Sequence, residues 1–290
     1  MWRKYERNWV PVRSSNPVMS SLTSNVGRGQ QGAGYGNYAG YGVQDAPAGY
    51  GGQYGEIAAN ERPMTVDDVV TKTGITLAII IAMAVVNFFV ALFVNPGLSM
   101  MLTLVGGIGG FITVLVAAFG KKWGSAAVTL IYAVFEGLFV GGFSFLFTGV
   151  SVSGASAYAM IGQAILGTVG VFIGMLFVYK TGAVRVTPKF TKILTGAIIG
   201  VVVMALGNFM LAMFTGANPL RDGGPLAIVF SLVCIVLAAL SFLTDFDQAD
   251  RLIRAGAPAK NAWGVALGLA VTLVWLYTEI LRLLSYFQRN

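Results

Sequence analysis

The sequence contains no histidine, a single cysteine and few charged residues. Each shortage excludes something. Without histidine there is no Ser-His or Cys-His catalytic pair and no imidazole ligand for zinc. The side chain whose unperturbed charge changes between pH 5 and 8 is missing too. Cys234 has no second cysteine in the chain, so an intramolecular disulfide is impossible. Asp, Glu, Lys and Arg make up 11% of the 290 residues, against about 25% in a soluble domain. No P-loop, dinucleotide fingerprint or metal-ligand spacing is present, nor the Gly-Asp motif that an Asp/Asp intramembrane protease needs in facing spans. An enzyme is therefore the least expected class, and no cofactor or resident metal is expected.

What is abundant is apolar surface, at 56% of residues. From Gly74 onward, apolar stretches of about twenty residues recur, each long enough to cross a hydrocarbon core roughly 30 Å thick. Spans are expected at 74–94, 98–119, 125–148, 157–179, 192–214, 225–245 and 262–285. The breaks are chemically clear: a turn at "NPG", paired lysines in "GKKWG", a small polar "TGVSVSGAS", a basic "KTGAVRVTPKFTK", a turn-rich "TGANPLRDGG" and a basic "RLIRAGAPAK". The expected fold is all-α, a polytopic membrane protein with a seven-helix transmembrane domain at 74–290. Residues 1–73 read as a tail. Its "GYGNYAGYGVQDAPAGYGGQYG" is low in complexity and too poor in aliphatic residues to build a core, so disorder is expected. No apolar h-region precedes the tail, so no cleavable signal peptide is expected and the first span directs insertion. "MTVDDVVTKTG" leads into that span, with Thr65 as N-cap and Asp67 and Asp68 in the first turn.

The net charge of +7 sits mostly in short loops and reads as a topology signal, with no nucleic acid implied. Lys121, Lys122, Lys180, Arg185, Lys189, Lys192, Arg251, Arg254 and Lys260 follow the second, fourth and sixth spans. The alternate loops hold Arg221, followed by Asp222. The positive-inside rule then puts the tail in the cytoplasm and the C-terminus outside. Gly137/Gly141, Gly170/Gly174, Gly196/Gly200 and Gly264/Gly268 are GxxxG pairs, with another inside "GGIGG". Tight helix packing is the expected use, a glycine-lined pore the alternative.

Ionisable groups inside spans are costly and point to function. Glu136 lies near the middle of the third span. Asp245 closes the apolar run of the sixth, with Asp247 two residues on. Glu279 interrupts "VTLVWLYTEILRLLSYF", one turn before Arg282. The readings stay open: Glu136 needs a partner on another span or a proton, Asp245 can simply end the membrane part of its helix, and Glu279 can form a local ion pair with Arg282. Two carboxylates held close in a low-dielectric bundle share a proton, which makes a pH-controlled latch. Their oxygens suit a hard cation such as Ca²⁺.

"LSFLTDFDQ" followed by "LVWLYTEILRLL" resembles the last two helices of the Bax inhibitor-1, or transmembrane Bax inhibitor motif, family. "SSNPV", "VFEGLFVGG", "VRVTPKFT" and "DGGPLAIVFSL" are similar to its actinobacterial branch. The resemblance implies a seven-helix bundle with the last helix at its centre, and a pH-sensitive calcium leak latched by acids of helices six and seven. Carried onto this chain, Asp245 and Glu279 take the acid positions and Gln248 the following glutamine. Arg282 stands where the family usually has a neutral residue, and the 34-residue separation of the acids exceeds the family spacing by about ten. In straight antiparallel helices this offsets them by roughly 15 Å, so Glu136 is a rival partner for either. The resemblance also implies a bacterial plasma-membrane location. Its alternative is a regulator of other membrane proteins, such as a membrane-bound protease. Actinobacterial relatives resemble a start at Met-Arg-Ser-Ser-Asn-Pro-Val, so Val12 is the expected initiator here.

Overall fold

The computed structural model describes residues 62–289 apart from 121 and 152–154. The tail up to residue 61, its Tyr/Gly repeat and the expected start at Val12 lie outside the described residues. Seven long helices are present: α1 (Val66–Phe89), α2 (Pro96–Phe119), α3 (Ala126–Ser151), α4 (Ala155–Thr181), α5 (Pro188–Thr215), α6 (Pro225–Arg254) and α7 (Ala262–Arg289). All seven contain apolar segments long enough to cross a membrane, and the protein is a multi-pass membrane protein.

Two expected boundaries move by eight residues or more, each for a local reason. The first helix starts at Val66, eight residues before Gly74, because a capping box carries it through the charged entry. The Asp68 amide donates to Thr65 Oγ1 at 3.3 Å, and the Thr65 amide donates to the Asp68 carboxylate at 3.0 Å. Arg62 grips the same carboxylate at 2.6 and 2.8 Å, and this hydrogen bond is the main reason its guanidinium is held above its ordinary pKa. The sixth helix runs nine residues past Asp245. Asp247–Arg251 at 2.6 Å and Asp250–Arg254 at 2.8 Å stabilise its last turns as i,i+4 ion pairs, with the cations at the helix C-terminus.

A five-residue π turn, Val90–Val94, ends α1. Asn95 then caps α2, its side chain accepting from the amides of Gly97 and Leu98. On the other membrane side, a 3₁₀ turn at Ala259–Asn261 joins α6 to α7. The segment entering α1 is bridged to that connection. The Met64 amide donates to the Ala257 carbonyl at 2.7 Å and the Ala259 amide to the Arg62 carbonyl at 3.0 Å. Lys72 donates to the Ala259 carbonyl at 2.5 Å and lies over the Trp263 ring.

The last helix is the central stave. Of its most apolar window 72% is buried, against 11% for α4 and for α5. It packs on α1, α3, α4 and α6. The other two helices touch it less: α2 leans chiefly on α3, and α5 on α6. The glycine pairs divide the same way. Gly106 faces the Phe135 carbonyl of α3 so closely that a Cβ would come within 2.5 Å, and one at Gly141 would meet the Ala84 carbonyl of α1 at 2.2 Å. Tight packing is their use. Gly170, Gly174, Gly196 and Gly200, on α4 and α5, have no neighbour within 4 Å of an added Cβ. They line no seam between helices of this chain.

Candidate functional site

The three acids inside the spans have three different partners. Asp245, half-buried on α6, accepts a hydrogen bond from Thr272 Oγ1 of α7 at 2.8 Å. That hydroxyl also lies 3.2 Å from the Gly268 carbonyl, so its one proton has two acceptors within reach. The groups around Asp245 are otherwise committed. On its own helix Asp247 and Asp250 hold Arg251 and Arg254. From α4, Tyr179 donates to Asp250 at 3.4 Å. Asp245 therefore joins α6 to α7 through a neutral hydroxyl, with no cation paired to it among the described residues.

Glu279 is 5% exposed and pairs with equally buried Arg282 at 2.6 Å. The Arg282 guanidinium also sits 5.8 Å from the centroid of the Phe143 ring. The second carboxylate oxygen of Glu279 and the buried Tyr286 hydroxyl have no hydrogen-bond partner among the described residues. Arg221, from the α5–α6 connection, feels both members of the pair. Burial first, and the like charge of Arg282 second, lower its pKa. The local ion pair is thus the arrangement realised.

The expected Asp245–Glu279 latch is not made in this structure. Thr272 and Glu279 are seven residues apart on α7, which places them on nearly the same face but about 10 Å apart along the axis. The acids share the α6–α7 seam, two turns out of step. Asp245 meets a residue 27 positions on, nearer the family spacing than 34, and that residue is a threonine. Glu136 joins neither acid. Tyr132, one turn earlier on α3, hydrogen-bonds it, and its Oε2 lies over Gly110 of α2, where a Cβ would approach to 2.8 Å. Gln248 is exposed near the end of α6.

Several polar residues that hold the bundle escape a search for charges in apolar runs. Thr272 is one. Asn87 of α1 is another: its amide donates to the Leu138 carbonyl of α3 at 2.6 Å and to Thr103 Oγ1 of α2 at 3.1 Å, tying three helices. Ser144 of α3 and Tyr277 of α7 meet at 2.8 Å. In lipid such contacts replace water as partners for polar groups. A lone asparagine in an apolar run was the available signal for Asn87; nothing distinguishes Thr272 from the other span threonines. Among the described residues no cluster of three or more acidic or cysteine side chains could hold a metal.

Comparison with curated proteins finds no match. The model of the family described as Bax inhibitor 1 like matches residues 16–289, nearly the whole chain. A seven-helix bundle with its last helix at the centre and an acid on the seam of helices six and seven thus carries the sequence of that family, and the protein is a member of the Bax inhibitor 1-like family.

Proposed function

We propose that this protein is a pH-regulated cation leak of a bacterial plasma membrane, with Ca²⁺ the leading permeating ion and the N-terminus in the cytoplasm. The observation that carries it is Asp245, an acid inside a membrane bundle whose inter-helix partner is a hydroxyl and not a cation. Such a residue changes charge without breaking an ion pair. Protonated, it holds α6 against α7 as a neutral group. Ionised, it places a negative charge in low dielectric, which draws in a cation and favours hard oxygen-binding ions. The switch proposed is therefore one acid with a hydroxyl, in place of two acids sharing a proton.

The sign follows: flux rises as pH rises through the ionisation of Asp245. In proteoliposomes loaded with a calcium indicator, Asp245→Asn is expected to give low flux that no longer responds to pH. Thr272→Val removes the donor from the charged form, so the rise in flux moves to higher pH. Wild-type flux and pH response in both variants would sink the proposal.

One observation favours a second reading, a regulator that engages other membrane proteins such as a membrane-bound protease. The entry segment is hydrogen-bonded to the α6–α7 connection, so a partner holding the tail would pull on the seam. Deleting residues 1–61 would then abolish regulation in cells while leaving liposome flux intact.

A further inference from the structure

We infer that the bundle carries a binding site for one acyl chain of a membrane phospholipid, in a crevice between α1 and α4. This site is independent of the leak. Its volume is about 450 Å³, within the roughly 300–1,000 Å³ of ligand pockets. Ile81 and Val85 of α1 and Ile165 and Val169 of α4 flank the opening, all exposed at the bundle surface. Leu273 and Tyr277 of α7 lie on its inner wall. The crevice exists because α1 and α4 both pack on α7 and α3 without packing closely on each other. They touch at one end, where Phe88 and Tyr158 meet edge to face at 6.3 Å.

The occupant follows from the walls and from the surrounding solvent. The crevice opens sideways, where the medium around a membrane bundle is hydrocarbon. Its inner hydroxyls are already satisfied: Ser144 donates to the Val140 carbonyl at 2.7 Å and meets Tyr277, and Thr168 donates to the Ala164 carbonyl at 2.8 Å. A water inside would find almost no partner, since a buried water needs two to four polar groups. No charged side chain lines it, so a free fatty acid entering head first would leave its carboxylate unpaired. A phospholipid avoids that cost. Its headgroup stays at the interface beside the exposed ring of Tyr158, in the position interfacial aromatics favour, and only its tail enters. The Phe88–Tyr158 end lies opposite the lysine-rich loops, so the chain comes from the leaflet on that side.

The site is tested with a phosphatidylcholine bearing a photoreactive diazirine near the end of one chain, incorporated with the full-length protein in nanodiscs. Lipid surrounding the bundle labels exposed residues everywhere, so the readout is adducts on buried Tyr277 and on Leu273, which the inner wall alone presents. These adducts are expected in the wild type and lost in Ile165→Trp, while labelling of Phe209 and Met213 on the outer face of α5 is unchanged. Val169→Trp blocks the same opening and serves if the first variant does not fold. Absence of inner-wall adducts, their persistence in a folded blocked variant, or labelling there by a diazirine fatty acid but not by the phospholipid would overturn the assignment. So would crosslinking of α1 to α4 of a second copy, which would make the opening an interface between chains.

Discussion

Glu279 and Arg282 form an ion pair that leaves one carboxylate oxygen without a described partner. A buried pair gains little over a well-packed apolar replacement, but losing one member strands the other charge, at about 3–5 kcal/mol. Arg282→Met is therefore expected to destabilise by about 3–5 kcal/mol, checked by thermal unfolding in detergent followed by helical circular dichroism. The double variant Glu279→Gln/Arg282→Met should recover most of that loss. Equal loss in the single and double variants would show that packing against Phe143, and not charge, is what Arg282 supplies. At the other acid, Thr272→Val strands Asp245 without its donor and is expected to cost about 1–3 kcal/mol, measured the same way. The two acids thus differ in kind: one is locked by a full charge, the other is held by a proton that has an alternative acceptor in Gly268.

At the scale of elements, close helix-to-helix approach is concentrated in the α1–α2–α3 sector, while Gly264 of α7 meets the Trp123 ring of the α2–α3 connection. A Cβ on Gly142 would lie 1.6 Å from Thr103 Oγ1 and 2.9 Å from the Asn87 amide nitrogen. Gly142→Ala must therefore displace the polar knot that joins these helices, and a loss of about 1–3 kcal/mol is expected. Gly200→Ala meets nothing and is expected to be neutral or to gain up to about 1 kcal/mol from helix propensity. The same unfolding assay separates them, and similar losses in both would show α5 packing on something beyond this chain. The contrast also marks what the sequence made legible. Every GxxxG pair looks alike as a string, and which glycines meet a neighbour depends on which face of the helix they occupy in the bundle: on α7 Gly264 meets Trp123 and Gly268 meets nothing. The spans themselves were readable because each break carries its own chemistry, from the Asn95–Gly97 turn to the basic loop before α5. Their ends were less so, since a capping box and two i,i+4 ion pairs keep α1 and α6 helical through charged residues. The acids stood out as charges in apolar runs. Their partners did not, because partner choice is fixed by the register of α6 against α7, set in the connection at 255–261. Thr272 was hidden further among span hydroxyls, such as Thr113 and Ser241, that bond only their own helix.

At the scale of the whole molecule, the acids sit toward opposite faces. Asp245 is nine residues from Arg254 at the end of α6, about 14 Å along the axis, on the side of the lysine-rich loops. Glu279 lies seven residues beyond Thr272 along α7, nearer the opposite face, where its charge acts on Arg221. Protons from the basic face have the shorter path to Asp245, and those from the other face meet the closed Glu279–Arg282 pair first. A leak governed by Asp245 is therefore expected to respond to pH on the basic side, which the charge rule makes the cytoplasm. In liposomes with the protein in one orientation, set by protease removal of accessible tails, stepping the basic-side pH upward should raise calcium flux. The same step on the opposite side should change it far less. The reverse asymmetry would move the sensor to Glu279 and Arg221. Equal responses from both sides would mean that water reaches Asp245 along the whole seam, which the ion pair as seen in this bundle argues against.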